Sequence, residues 1–204
     1  MTTKERISYE ALTLFSRKGY KGTSVKNIAD AVGIKDSSLY KHFASKQEIL
    51  DSIMVTIKQR TEEMSKEFGI PEGEDFERAV AFYAELDQES LARFSKNIFL
   101  FYLKDDILSK FWRMGSIEQV QNEQVYSLFR KFFIEDSIKY QTALFAEMSH
   151  QGIFIEADPG VMAISFYTPI FFLLSKYSAV EGQEEEALAV LDKQVREFYR
   201  IYRK

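Results

Sequence analysis

A chain of 204 residues is long enough for one large domain, or for a small domain joined to a larger one. It is 46% hydrophobic with only nine Gly and three Pro, so it can bury a sizeable core and has little linker material. Having no cysteine, it excludes disulfides and thiolate metal sites and suits a reducing cytoplasm. The net charge of −4 argues against a uniformly basic nucleic-acid binder, but it is unevenly spread. Residues 1–50 hold nine Lys/Arg against five Asp/Glu, and the remainder 18 against 26, so a basic head precedes an acidic body and only the head is expected to meet a polyanion.

No strand-like alternation of useful length occurs, and almost every segment repeats its apolar residues with a helical period, which predicts an all-α fold of about nine helices. Met1 to Arg6 carry no apolar run of the kind that opens a secretory signal. The first helix follows Thr2, which has capping-box spacing to Glu5, shows a stripe of Ile7, Ala11, Leu14 and Phe15, and should end in a left-handed cap at Gly19. A second helix begins near Thr23-Ser24, buries Val25, Ile28, Ala29 and Val32, and stops at Gly33. A third occupies about 36–42 with Leu39 and Phe43 inward, and Ser45 and Glu48 open a long fourth helix through Ile49, Ile53, Ile57 and Met64. Gly69 to Glu74 is the clearest interior break. Helices are then predicted at about 75–90, 92–104, 105–114, 116–134 and 136–151, and, after a second break from Gly152 to Gly160, at about 160–180 and 184–203. The longest apolar run, Val161 to Leu174, is 14 residues, short of the ~18 that suggest a membrane span. Interrupted by Ser165, Thr168 and Pro169, it reads as a buried helix that the proline should kink.

The segment from Ser24 to Phe43 is the informative one. Two short helices meet at a tight turn on Gly33, with Ile34 pinning the turn to the core, an arrangement that places a second helix in the major groove of DNA. That second helix offers Ser37, Ser38, Tyr40, Lys41 and His42, which can bond phosphates or base edges, and few large apolar groups. The run Phe15-Ser16-Arg17-Lys18-Gly19-Tyr20, then Gly22-Thr23-Ser24-Val25, Ile28-Ala29, Val32-Gly33-Ile34, Leu39-Tyr40, His42-Phe43 and Ser45-Lys46 resembles the tetracycline-repressor (TetR) family over about residues 4–50. The resemblance implies phosphate contacts from Tyr40 and Lys46, backbone anchoring through Thr23 and Ser24, and base or flanking-phosphate contacts from Lys26, Lys35, Ser37, Ser38, Lys41 and His42. Two positions depart from the family pattern: Lys35 stands where a Ser or Thr cap is usual, and Asp36 where a basic or small residue is common. Asp36 either caps its own helix or accepts a bond from a cytosine amine.

Residues 61–204 form the expected second domain, after a DNA-binding domain at 1–60. The resemblance implies a ligand pocket there, and although most of the aromatic middle stretch should be ordinary core, Phe99, Tyr102, Tyr126, Phe129, Gln141 and Phe145 are the candidates to line it, with Asn97 and Glu147 as further polar contacts. The last helix carries Leu188, Leu191, Val195, Phe198 and Tyr202 at heptad-like spacing, which suggests a dimer seam completed by helix 160–180, the alternative being packing within the chain.

A cytoplasmic homodimer follows from these readings: a ligand-responsive transcriptional regulator, released from a palindromic operator by a small apolar or aromatic effector, with no cofactor, no metal and no membrane partner. Two alternatives remain. One is a ligand-independent architectural DNA-binding protein. The other is a helical metalloenzyme built on Glu147-Met148-Ser149-His150, whose Glu-x-x-His spacing occurs in di-iron bundles but lacks the second such motif that site needs. With two histidines, no glycine-rich phosphate loop and no Ser-His-Asp arrangement, an enzyme is not expected.

Overall fold

The computed structural model describes residues 1–71, 76–178 and 182–204. Positions 72–74 of the expected interior break, residue 75 at the start of the next expected helix, and the end of the helix expected to reach 180 lie outside the described residues. The helices are α1 (Thr3–Lys18), α2 (Val25–Val32), α3 (Asp36–Leu39), α4 (Lys46–Glu67), α5 (Phe76–Ala84), α6 (Gln88–Lys104), α7 (Asp106–Glu118), α8 (Glu123–Arg130), α9 (Asp136–His150), α10 (Pro159–Tyr177) and α11 (Glu184–Tyr202), with a π-helical turn at Lys131–Glu135. The described residues contain no strand, only an isolated antiparallel bridge between Phe154 and Arg203. The all-α expectation holds. Eleven α-helices occur among the described residues, as many as the segments expected one by one, so the overall expectation of about nine was an undercount.

The chain divides into two compact units, Met1–Glu63 with Asp106–Arg130, and Met64–Asp105 with Lys131–Lys204. In the first, Thr2 and Glu5 close the expected capping box, and α1 buries Ile7, Ala11, Leu12 and Phe15. Leu14 is half-buried and Leu12 takes the inner position, so the stripe is rotated slightly from the expected one. α7 packs along α1, and α8 against α7. Gly115 was expected to separate two helices, yet it lies inside α7, and the break falls at 119–122. Its reason is close approach: a Cβ at Gly115 would sit 2.2 Å from Cδ2 of Phe129.

In the second unit, Val80, Leu144, Phe145, Met148, Phe154, Met162, Ala163 and Phe198 form the core. The expected helix at 75–90 stops at Ala84, because Asp87 accepts the Ser90 amide at 2.8 Å and opens α6. α10 packs on α9 and α11, and α11 also packs on α6. The stripe expected as a dimer seam lies largely within the chain's own core. Leu191, Val195 and Phe198 are 0–2% exposed within the single chain, Leu188 and Tyr202 are half-buried, and Phe198 stacks among Phe145, Phe154, Phe166 and Tyr202. A heptad-like stripe specifies an apolar partner, not whose it is, and here α6 and α10 supply it.

α10 is corrected in the opposite sense. It buries Met162, Ala163, Leu173, Leu174 and Tyr177, but Val161, Ile164 and Phe172 are 54–60% exposed along its other side. By length and composition alone this helix could also cross a bilayer. It remains α-helical through Pro169, whose missing N–H leaves the Ser165 carbonyl without its usual donor; Gln194 of α11 donates to that carbonyl at 3.4 Å.

Candidate nucleic-acid interface

The turn between α2 and α3 forms because Gly33 takes the left-handed conformation (φ 76°, ψ 34°) and its amide returns to α2. Ser24 and Asn27 cap α2 reciprocally, so the Ser24 hydroxyl holds its own helix end while the residue stays exposed. α3 is regular only over Asp36–Leu39, and tighter bonds from Lys41 to Ser38 and His42 to Leu39 carry the helical path to Phe43. Leu39 and Phe43 are buried. The N-cap of α3 is Lys35, with no side-chain hydrogen bond, so the capping role suggested for Asp36 is not realised.

Lys26, Lys35, Ser37, Tyr40, Lys41 and His42 are exposed, Ser38 is half-buried, and none of their side chains makes a hydrogen bond or ion pair with another described residue. They are polar and cationic groups on α2, on the residue that caps α3, and along α3 and its extension. Two expected contacts are placed otherwise. Thr23 is fully buried, and its hydroxyl donates to the Gly19 carbonyl at 2.9 Å. Lys46 is half-buried, donates to the carbonyls of Tyr20 (2.8 Å) and Thr23 (2.9 Å), and lies 4.2 Å over the Tyr20 ring. Burial lowers its pKa, opposed by the Glu118 carboxylate. Both residues grip the α1–α2 turn from within.

Glu118, which the sequence did not single out, is fully buried and accepts the Tyr20 amide through Oε1 at 2.7 Å. Farther along α7, the buried Lys110 ammonium binds the Tyr9 hydroxyl (2.8 Å) and Asp106 (2.7 Å), 3.9 Å over the Tyr9 ring. α7 therefore holds α1 and its following turn by charged groups near both of its ends.

The candidate pocket residues divide between the units. Tyr126 and Phe129 pack with Trp112 in the first. Phe99, Tyr102, Gln141 and Phe145 belong to the second, where Phe99 and Phe145 are buried core. Tyr102 lies near Phe133, with ring centroids 6.0 Å apart. Burial pushes the hydroxyls of Tyr83 and Tyr102 above the usual phenol range and that of Tyr167 up to about 12. Tyr167 donates to the Phe133 carbonyl, in the π turn, and the buried Gln141 Oε1 has no hydrogen-bond partner. The second unit also bears an open groove of about 510 Å³ between α9, the π turn and α10, walled by Ile134, Ile138, Ile164, Tyr167 and Phe171, and none of the candidate pocket residues lines it. His150 pairs with Glu147 at 3.6 Å, and no three His, Asp or Glu among the described residues are grouped to hold a metal ion. Asn97 is exposed.

Head and body together define an all-α helix-turn-helix protein. Residues 9–53 match the family described as "Bacterial regulatory proteins, tetR family". The biofilm operon icaADBC HTH-type negative transcriptional regulator IcaR of Staphylococcus aureus (strain Newman) is 52% identical over 48 residues, 24% of this chain and 26% of the relative. The match thus spans about a quarter of that relative's length. Over nearly the whole chain the fold is that of the SmeT–triclosan complex (TM-score 0.69, 19% identity, 100% of this chain and 93% of that one). It is also that of AibR in complex with isovaleryl coenzyme A and operator DNA (TM-score 0.61, 18% identity, 98% of each chain). The likeness to that family thus rests on the head, residues 9–53, while the chain as a whole shares its fold with these solved structures.

Proposed function

We propose that this protein is a cytoplasmic transcriptional repressor that binds a palindromic DNA operator as a homodimer and is released by a small apolar or aromatic effector. The observation that carries this reading is the exposure of Lys26, Lys35, Tyr40, Lys41 and His42, none of them in a hydrogen bond or ion pair with a described residue, around a well-formed α2–α3 turn in the segment of net positive charge. In functional terms residues 1–60 bind DNA, and 61–204 bind effector and dimerise. Ser24, Ser37 and Ser38 supplement the phosphate and base contacts. Dimerisation uses the exposed apolar side of α10 (Val161, Ile164, Phe172) with Val190 and Ile201 of α11, each 46% exposed, in place of the stripe buried inside the chain. Support for an effector comes from the neighbours that hold triclosan and isovaleryl coenzyme A, and for repression from the negative regulator IcaR. The effector must prefer the head spacing that does not fit DNA.

Selection of duplexes from a random-sequence library by the purified protein tests this. An inverted repeat with half-sites about one helical turn apart is the expected product. Failure to enrich any sequence would favour an architectural DNA binder, and failure to bind DNA at all would overturn the reading.

A further inference from the structure

We propose that Glu118 is a positioning residue for DNA recognition: a buried carboxylate on α7, itself away from the exposed reading surface, fixes the turn that aims α2 and α3. The inference rests on the DNA-binding reading of the head. Tyr20 lies in the turn between α1 and α2, and both of its backbone polar groups are held by charged side chains. Its N–H donates to Glu118 Oε1 at 2.7 Å, and its C=O accepts from Lys46 Nζ at 2.8 Å. Lys46 also takes the Thr23 carbonyl at 2.9 Å, just before the Ser24 cap of α2. An anion from α7 and a cation from α4 thus grip one residue from opposite sides, and charge-assisted bonds of this kind are the stronger ones. Lys21 adds a third tie, donating to the Gln121 carbonyl after α7 at 2.7 Å.

The backbone is shaped around this carboxylate. Gly19 has φ +75°, and a Cβ there would lie 2.6 Å from Glu118 Oε1, so only glycine lets the turn come so close. Packing alone does not call for an acid at residue 118. The side chain is fully buried and its Oε2 has no hydrogen-bond partner, so a neutral side chain of similar size would fill the space at lower desolvation cost. What the charge adds is balance for the Lys46 ammonium across the Tyr20 peptide. A displacement of α7 is passed to the turn by direct bonds, and from the turn to α2 and α3.

The test uses the full chain and the duplex enriched by the wild-type protein, with a random-sequence duplex as reference. The readout is the ratio of the two affinities, measured below the melting temperature of each variant. E118L removes the acceptor and should lower that ratio about tenfold or more, while random-sequence affinity, set by exposed phosphate-contacting groups, stays within about twofold. E118Q keeps shape and acceptor but not charge, and should lose about three- to fivefold. A folded E118L with the wild-type ratio overturns the proposal. If E118L does not fold, E118Q decides: a reduced ratio supports the role and an unchanged one overturns it. A wild-type protein that binds no duplex at all would instead refute the DNA-binding reading beneath it, and one that binds without enriching any sequence would overturn the proposal, there being no preference for Glu118 to set.

Discussion

Lys46 illustrates how a residue's type can be legible when its direction is not. The family resemblance implies a phosphate contact for this lysine at the start of α4; in the folded chain its ammonium is turned onto two carbonyls of the α1–α2 turn. Thr23 diverges for the same reason, its hydroxyl satisfying Gly19 inside the turn. Periodicity fixes which face of a helix is inward, but residues in a turn have no period, so their side-chain directions are decided by which backbone groups need partners. Glu118 was invisible on different grounds, since its partner is 98 residues away and no local spacing announces it. Lys46→Ala strips charge-assisted donors from two carbonyls, so it should cost ~1–3 kcal/mol of unfolding free energy in urea. It should also change the log–log salt slope of DNA binding by well under the ~0.9 that accompanies loss of one phosphate contact. Unchanged stability with a full one-phosphate fall in slope would return Lys46 to the DNA.

Elements were read more securely than residues. The capping box of α1, the cap at Gly33 and the long α4 are all local devices, set by residues three or four apart, and they were read from the sequence, whereas the Ser24–Asn27 box of α2 was not. Breaks were harder. Gly115 has the composition of a helix end but serves a close approach by the Phe129 ring, a tertiary reason that outweighs the local one. Pro169 likewise signals a disruption that a distant side chain makes good. This yields a double-mutant cycle. In the wild-type chain Gln194→Ala removes the only donor described for the Ser165 carbonyl and should cost ~0.5–1.5 kcal/mol. In a Pro169→Ala background the restored backbone N–H takes that carbonyl, so Gln194→Ala should cost ~0.5 kcal/mol or less. Equal costs in both backgrounds, measured by chemical denaturation, would mean the two groups do not share that carbonyl.

At the scale of the whole molecule, composition exposed the charge contrast between a basic head and an acidic body, and the all-α class followed from periodicity alone. Which apolar stripe meets another chain could not be read, because α11 and α10 each carry one, and only burial separates the stripe used internally from the one left outward. Ile164→Glu with Phe172→Glu should therefore give a folded monomer in sedimentation equilibrium, its urea midpoint close to that of wild type. Leu191→Glu, placing a charge at a site 0% exposed, should unfold the chain. An intact dimer of the folded Ile164/Phe172 variant would move the interface elsewhere. The most direct measurement concerns the exposed α3 surface itself. Fluorescence anisotropy of the Lys41→Ala/His42→Ala protein, on the enriched duplex and on random sequence, should show sequence preference falling about tenfold or more. The thermal midpoint should not move, since both side chains are exposed and make no hydrogen bond or ion pair with a described residue. A preference equal to that of the wild-type protein, with the fold intact, would contradict the assignment of this surface to reading DNA.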